Sequence, residues 1–394
     1  MAAMRIRHLF FLLAIVWVPG VVLSQALQDI NYSYLYQTDA PFQFHMTPVK
    51  TAEAWQISYL LQVREGALAD YQIQWELREN LKDKRGTALE GDSAISIEVT
   101  RGESHAEGTI RLAATARGVL NARIVHLGRK QVWYFPLLLR EDYPVEVAVR
   151  HDGKPLHQKY LAAGATFSVA GPQDGIIVSL YTDEFPAAAP PFSEALARVS
   201  PVIRPDSIFR ISAGQSQHVS VSGLYLIQRD TTSGKGVAFR VYDDYPKYTR
   251  LENLVDPLTY ICTRQEIERL RNARGDKRQF DRTILNITGS SERARTFMRS
   301  YFRRVEEANE LFASYKEGWK TDRGMVYIIL GRPAEVFRFE DREVWSYDAS
   351  HFKGTLSFVR SPTLFDPDNY VLVRQKKYMT DWYEVIDLWR NSRF

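Results

Sequence analysis

The sequence predicts a multidomain protein: Ig-like β-sandwiches, read as two in tandem, followed by an α+β C-terminal domain with helices packed on a small antiparallel sheet. Three observations predict it. From Asn31 to Asp244 apolar residues recur mostly at every second position, which puts one strand face on a core and the other in water. From Thr263 the spacing lengthens to the three-and-four rhythm of amphipathic helices. After Gly318 the alternation returns. With 394 residues, 45% hydrophobic and 25% charged, the composition is globular. At about 100–200 residues per domain there is room for several cores.

Residues 1–24 read as an export signal. Arg5, Arg7 and His8 form a basic start, and Leu9 to Val22 is an apolar run short for a membrane span. Val22 and Ser24 are small enough to precede a cleavage site, so the mature chain is expected to start at Gln25. An uncleaved anchor is the alternative. No cysteine follows the apolar run, which argues against a lipoprotein. The expected location is therefore periplasmic or outer-membrane-associated, with no transmembrane span after signal removal. The single cysteine, Cys262, excludes a disulfide framework and a Cys-rich metal site. Its apolar neighbours predict a buried, inert thiol.

The first sandwich is expected over residues 25–143. Its clearest strands are Trp55–Leu60, Tyr71–Leu77, Ala94–Val99, Thr109–Leu112, Asn121–Leu127 and Gln131–Leu139. The stretch Glu141-Asp142-Tyr143-Pro144 marks the split. The second sandwich is expected over 144–245, with strands Val145–Val149, Ile176–Tyr181, Ser207–Ile211, His218–Val221, Leu224–Gln228 and Val237–Tyr242. Phe185 to Pro205 carries five prolines and reads as a long loop or edge excursion.

A helical linker is expected over 246–290. Thr263-Arg264-Gln265-Glu266 fits a capping box that opens a helix with Ile267 and Leu270 inward. Phe280, Ile284 and Leu285 form the next short apolar face. The domain over 291–394 begins with a long helix whose apolar stripe runs from Ala294 through Phe297, Tyr301, Val305 and Ala308 to Phe312. Arg293, Arg295, Arg299, Arg303 and Arg304 form its basic face. Strands are expected at Met325–Leu330, Glu343–Tyr347, Thr355–Val359 and Tyr370–Val373, with a closing helix or clamp at Asp381–Arg390.

The motif Gly318-Trp319-Lys320-Thr321-Asp322-Arg323-Gly324 leads into Met325–Leu330, then Gly331-Arg332-Pro333, and later Trp345-Ser346-Tyr347. Together with Arg304–Phe312 upstream, this ordered set resembles the GWxTD domain of exported proteins from Bacteroidetes and related bacteria. The resemblance implies compartment more than activity. The order helix, Leu-Gly-x-Pro, hairpin, Trp-x-Tyr is also similar to the small lipoprotein subunit of the outer-membrane β-barrel assembly machinery, whose helical pair lies on a short sheet.

Physical reasoning gives this motif a structural part. Gly318 and Gly324 would bracket a turn and permit positive φ. Thr321 and Asp322 would bond nearby backbone N–H groups. Asp322 and Arg323 would pair with each other or with the basic helix. Trp319 would plug the core alongside Trp345 and Tyr347, and Gly331 and Pro333 would end a strand.

Catalytic signatures are missing from the sequence. Its eight histidines include no His-Glu-x-x-His, no Gly-x-Ser-x-Gly elbow occurs, and Ser233-Gly234-Lys235-Gly236 lacks P-loop spacing. No cofactor or metal is expected. Charge is uneven: Arg264 to Arg304 holds twelve Lys/Arg against five Asp/Glu, while Gln25 to Asp244 carries a net −3. The basic region would dock on the sandwiches, or meet an acidic protein or anionic lipid headgroups. Nucleic acid is not expected. The function anticipated is a non-enzymatic interaction or scaffold protein of the bacterial envelope, serving outer-membrane assembly or secretion, with an envelope protein partner. The alternatives are a hydrolase using Asp322 and Glu335, or a carbohydrate-binding accessory using Trp133, Tyr134, Trp382 or Tyr383.

Overall fold

A computed structural model describes residues 25–89, 96–144, 146–171, 175–194, 203–273 and 275–394. The expected export signal, the first residues of the Ala94–Val99 strand and the middle of the proline-rich stretch lie outside the described residues.

Among the described residues the first sandwich contains eight strands: β1 (Phe42–Lys50), β2 (Ala54–Val63), β3 (Tyr71–Arg78), β4 (Thr87–Ala88), β5 (Ser96–Arg101), β6 (His105–Ala113), β7 (Val119–His126) and β8 (Gln131–Leu138). They form two antiparallel sheets, ordered β1-β2-β6-β5 and β4-β3-β7-β8. The alternation works as expected in β2, where Trp55, Ile57, Tyr59, Leu61 and Val63 are buried and the residues between are not. Their facing partners are Trp75, Leu120, Ala122, Ile124 and Trp133.

The second sandwich has its own core, built around Val149, Phe167, Val169, Val178, Ile227 and Phe239. Its strands are β9 (Ala148–His151), β10 (Lys154–Pro155), β11 (Tyr160–Ala162), β12 (Thr166–Ala170), β13 (Ile176–Tyr181), β14 (Ser207–Ile211), β15 (Gln217–His218), β16 (Gly223–Gln228) and β17 (Val237–Tyr242). The sheets run β10-β9-β12-β15 and β11-β17-β16-β13-β14. One pairing, β11 with β17, is parallel. Strand β16 is buried at all six positions. One of its faces fills the sandwich core, and Leu224 and Leu226 on the other meet Tyr315, Leu364 and Phe365. That explains its near-continuous apolar run.

The C-terminal unit has helices α1 (Arg264–Asn272), α2 (Lys277–Thr288), α3 (Ser291–Phe312), α4 (Asp322–Leu330) and α5 (Met379–Arg390). They pack on the sheet β18-β19-β20-β21, made of β18 (Glu335–Arg338), β19 (Arg342–Ala349), β20 (Phe352–Arg360) and β21 (Tyr370–Leu372). The capping box forms as expected: Thr263 accepts from the Glu266 N–H, and the Glu266 carboxylate accepts from the Thr263 N–H. Met325–Leu330, expected as a strand, is helical. Thr321 caps it and Gly331 ends it at φ +83°.

An N-terminal strap ties the first sandwich to this unit. Tyr32 N–H donates to the Val336 carbonyl (2.7 Å), and Asn31 Oδ1 accepts from the Val336 N–H (3.0 Å). Leu27, Tyr32 and Tyr36 are buried in the C-terminal core, while Tyr34 hydroxyl donates to the Tyr134 carbonyl (2.7 Å).

Candidate functional site

The Gly318–Gly324 segment lies between α3 and α4, and chain proximity dictates its glycines. A Cβ on Gly318 would sit 2.0 Å from the Ala308 carbonyl oxygen, and one on Gly324 would sit 1.9 Å from the Gly318 oxygen. Neither has positive φ. The expected conformational reason is therefore replaced by a steric one: only glycine lets these backbones touch.

Trp319 is 3% exposed. Its N–H donates to Asn309 Oδ1 (3.1 Å), its indole N–H to the Tyr248 hydroxyl (2.9 Å), and its carbonyl accepts from the Tyr260 hydroxyl (2.8 Å). Its nearest ring is Tyr260, centroids 6.0 Å apart. Trp345 occupies the same core but packs at a tilt against Tyr36 and Phe358. Thr321 Oγ1 accepts from the Gly324 N–H (3.0 Å) and donates to the Gly318 carbonyl (2.7 Å), closing the turn as a helix cap.

Asp322 and Arg323 part company. Asp322, expected to pair with Arg323 or the basic helix, instead accepts from the Leu372 N–H (2.7 Å) and from Arg374 (2.6 and 3.2 Å). Both side chains are 10% exposed. The guanidinium of Arg374 also donates to the Ala189 carbonyl (3.0 Å), so one ion pair joins α4, β21 and the proline-rich loop. Arg323 lies 3.6 Å from Glu343 and covers the Tyr370 ring at 4.5 Å.

Glu343 is 1% exposed. Arg338 (3.1 Å), the Tyr36 hydroxyl (2.5 Å) and the Trp345 indole N–H (3.3 Å) complete its surroundings. Burial opposes its charge, yet Arg323 and Arg338 hold its carboxyl below the usual range. Lys320, buried as well, bonds Glu317 (3.0 Å) and Glu184. These partners escaped the sequence reading. Only Glu343 had a legible signal, since it shares a strand face with Trp345 and Tyr347.

The five arginines do not form one face. Arg304 turns inward, donating to the Ile328 and Ile329 carbonyls (3.1 and 3.4 Å) and lying over Trp389 and Phe394. Burial pulls it down to about 10. A Cβ on Gly331 would sit 3.0 Å from that guanidinium. Trp389 donates to the Ile329 carbonyl and Tyr347 to the Gly331 carbonyl, so side chains satisfy carbonyls at and just beyond the end of α4. Pro333, buried, follows this stop. Arg303 approaches Glu307 at 3.8 Å. Arg293, Arg295 and Arg299 are exposed.

Cys262 is half-buried, and burial pushes its thiol up to about 12, which suits an unreactive group. Among the described residues no cluster of His, Cys, Asp and Glu could hold a metal, and no helix is long and apolar enough to cross a membrane.

Residues 223–391 match the GWxTD domain family. This chain carries a GWxTD domain. The match begins at β16, so it takes in the last hairpin of the second sandwich together with the helices and C-terminal sheet. No curated protein matches significantly. Similar solved structures include a chain from the crystal structure of Dpr11 IG1 bound to DIP-gamma IG+IG2 (12% identity, 51% of this chain and 95% of that one, TM-score 0.19). The titin A164-A165 Ig tandem is another (17%, 51% and 94%, TM-score 0.19).

Proposed function

We propose that this GWxTD-domain chain is a non-enzymatic, exported scaffold of the bacterial envelope, holding protein partners in an outer-membrane assembly or secretion complex. The supporting observation is the internal engagement of every charged side chain in the motif. Asp322 is saturated by Arg374 and a backbone N–H, Arg323 faces Glu343, and Lys320 bridges Glu184 and Glu317. A catalytic acid or base needs a free face toward substrate. Here those groups join the second sandwich, α4 and the C-terminal sheet.

A hydrolase built on Asp322 and Glu335 fits poorly, because Asp322 is occupied and Glu335 is exposed on the first strand of the sheet. A sugar platform needs open ring faces. Trp133 and Trp382 are buried, Arg123 lies over Tyr134, and only Tyr383 of the four is exposed. Mild crosslinking in the native cell, followed by recovery of the tagged chain, tests the scaffold reading. It predicts specific envelope proteins in the crosslinked fraction, and their absence would overturn it.

A further inference from the structure

The sequence gives α2 an inward face of Phe280, Ile284 and Leu285, yet the three do not share one fate. Phe280 and Ile284 are buried, while Leu285 is 40% exposed. It stands on the lip of a groove of about 460 Å3 between α2 and α3. Phe280 and Ile284 line its floor, and the half-buried Ala294 and Met298 form the opposite wall. Arg282 and Arg295 line the same groove, both exposed and in no ion pair among the described residues. Over residues 277–299 there are six Lys/Arg against two Asp/Glu. The groove's other two charges, Lys277 and Asp281, pair with each other on α2 (2.5 Å), a surface contact of small energetic weight.

We infer that this groove docks an amphipathic helical segment of a partner protein, with apolar side chains on one face and carboxylates flanking them. The inference rests on the scaffold reading above and names the partner's chemistry. Two facing helices leave a concave apolar strip that receives knobs spaced by one helical turn. The unpaired arginines supply the complementary charge and the orientation. A bilayer is a poorer fit, because membrane-surface helices insert protruding apolar side chains, whereas most of the apolar surface here is recessed.

The test uses the mature chain and a labelled synthetic peptide with leucines on one helical face and glutamates on the other. Fluorescence anisotropy should show saturable binding that weakens with salt. R282E/R295E should weaken it about tenfold or more, with an unchanged melting temperature. Ala294→Trp, which fills the groove without altering charge, should weaken it as well. A scrambled peptide of equal charge binding equally well would overturn the proposal. So would phosphatidylglycerol vesicles binding through the same arginines while the peptide does not. Self-association in sedimentation that disappears in R282E/R295E would assign the groove to a second copy instead. Peptide binding with no envelope partner in cells would sink the scaffold reading and leave the groove standing. Crosslinked envelope partners with no peptide binding would do the reverse.

Discussion

The motif joint and the α2–α3 face share one long helix and use charge in opposite ways. At the joint, Lys320, Asp322, Arg323 and Arg304 are each matched to a carboxylate, a guanidinium or a run of carbonyls. On the face, Arg282, Arg293, Arg295 and Arg299 stand in water without an ion pair among the described residues. Buried charges that lose a partner are costly, whereas exposed ones are nearly free to change. The same residue type is thus structural toward one end of α3 and solvent-exposed toward the other.

Variants can break this contrast, and the two on the buried side carry the largest effects. Gly318→Ala would drive a Cβ into the Ala308 carbonyl. Overpacking of this kind costs about 1–3 kcal/mol or more. Rigid backbone on both sides places this case at the upper end, so thermal melting should show the C-terminal unit grossly destabilised. Glu343→Gln leaves Arg323 and Arg338 without their shared carboxylate. A broken buried pair costs about 3–5 kcal/mol, readable by urea denaturation. Arg293→Ala and Arg299→Ala define the other side of the comparison: each should change stability by less than about 0.5 kcal/mol.

The joint between the two sandwiches adds a pH dependence of its own. His157 bonds Thr47 (2.8 Å) and stacks near His45. Burial, helped by His45, pushes it down to about 4. The unfolded ring takes up its proton near pH ~6.5, before the folded one can. Stability is therefore full above that pH and declines as pH falls toward about 4. Melting temperature against pH should show this slope, and His157→Gln should flatten it in part, leaving the contribution of His45.

The sandwiches were legible because alternation survives wherever one face meets water, as in Trp55 to Val63. The long helix was legible for the same reason at its own period. Helix α4 was misread because Met325–Leu330 is buried on every side, and a short apolar run carries no period. The cue lay at its ends, where Thr321 caps and Gly331 stops it. The ion-pair partners were beyond reach: Arg374 is 52 residues from Asp322, and Tyr36 is 307 from Glu343. Only the fold brings them together. The basic face was read as uniform because Arg303 and Arg304 are adjacent in sequence, yet one turns outward and the other lies under Phe394.

The central claim is that Asp322 holds the structure together and performs no chemistry. A double-mutant cycle on Asp322→Asn and Arg374→Gln, followed by chemical denaturation, tests it most directly. Loss of the charged bond should cost about 1–3 kcal/mol in the Asn variant, with the double variant losing less than the sum of the singles. An unchanged stability in Asp322→Asn, accompanied by loss of the protein's role in cells, would contradict the account.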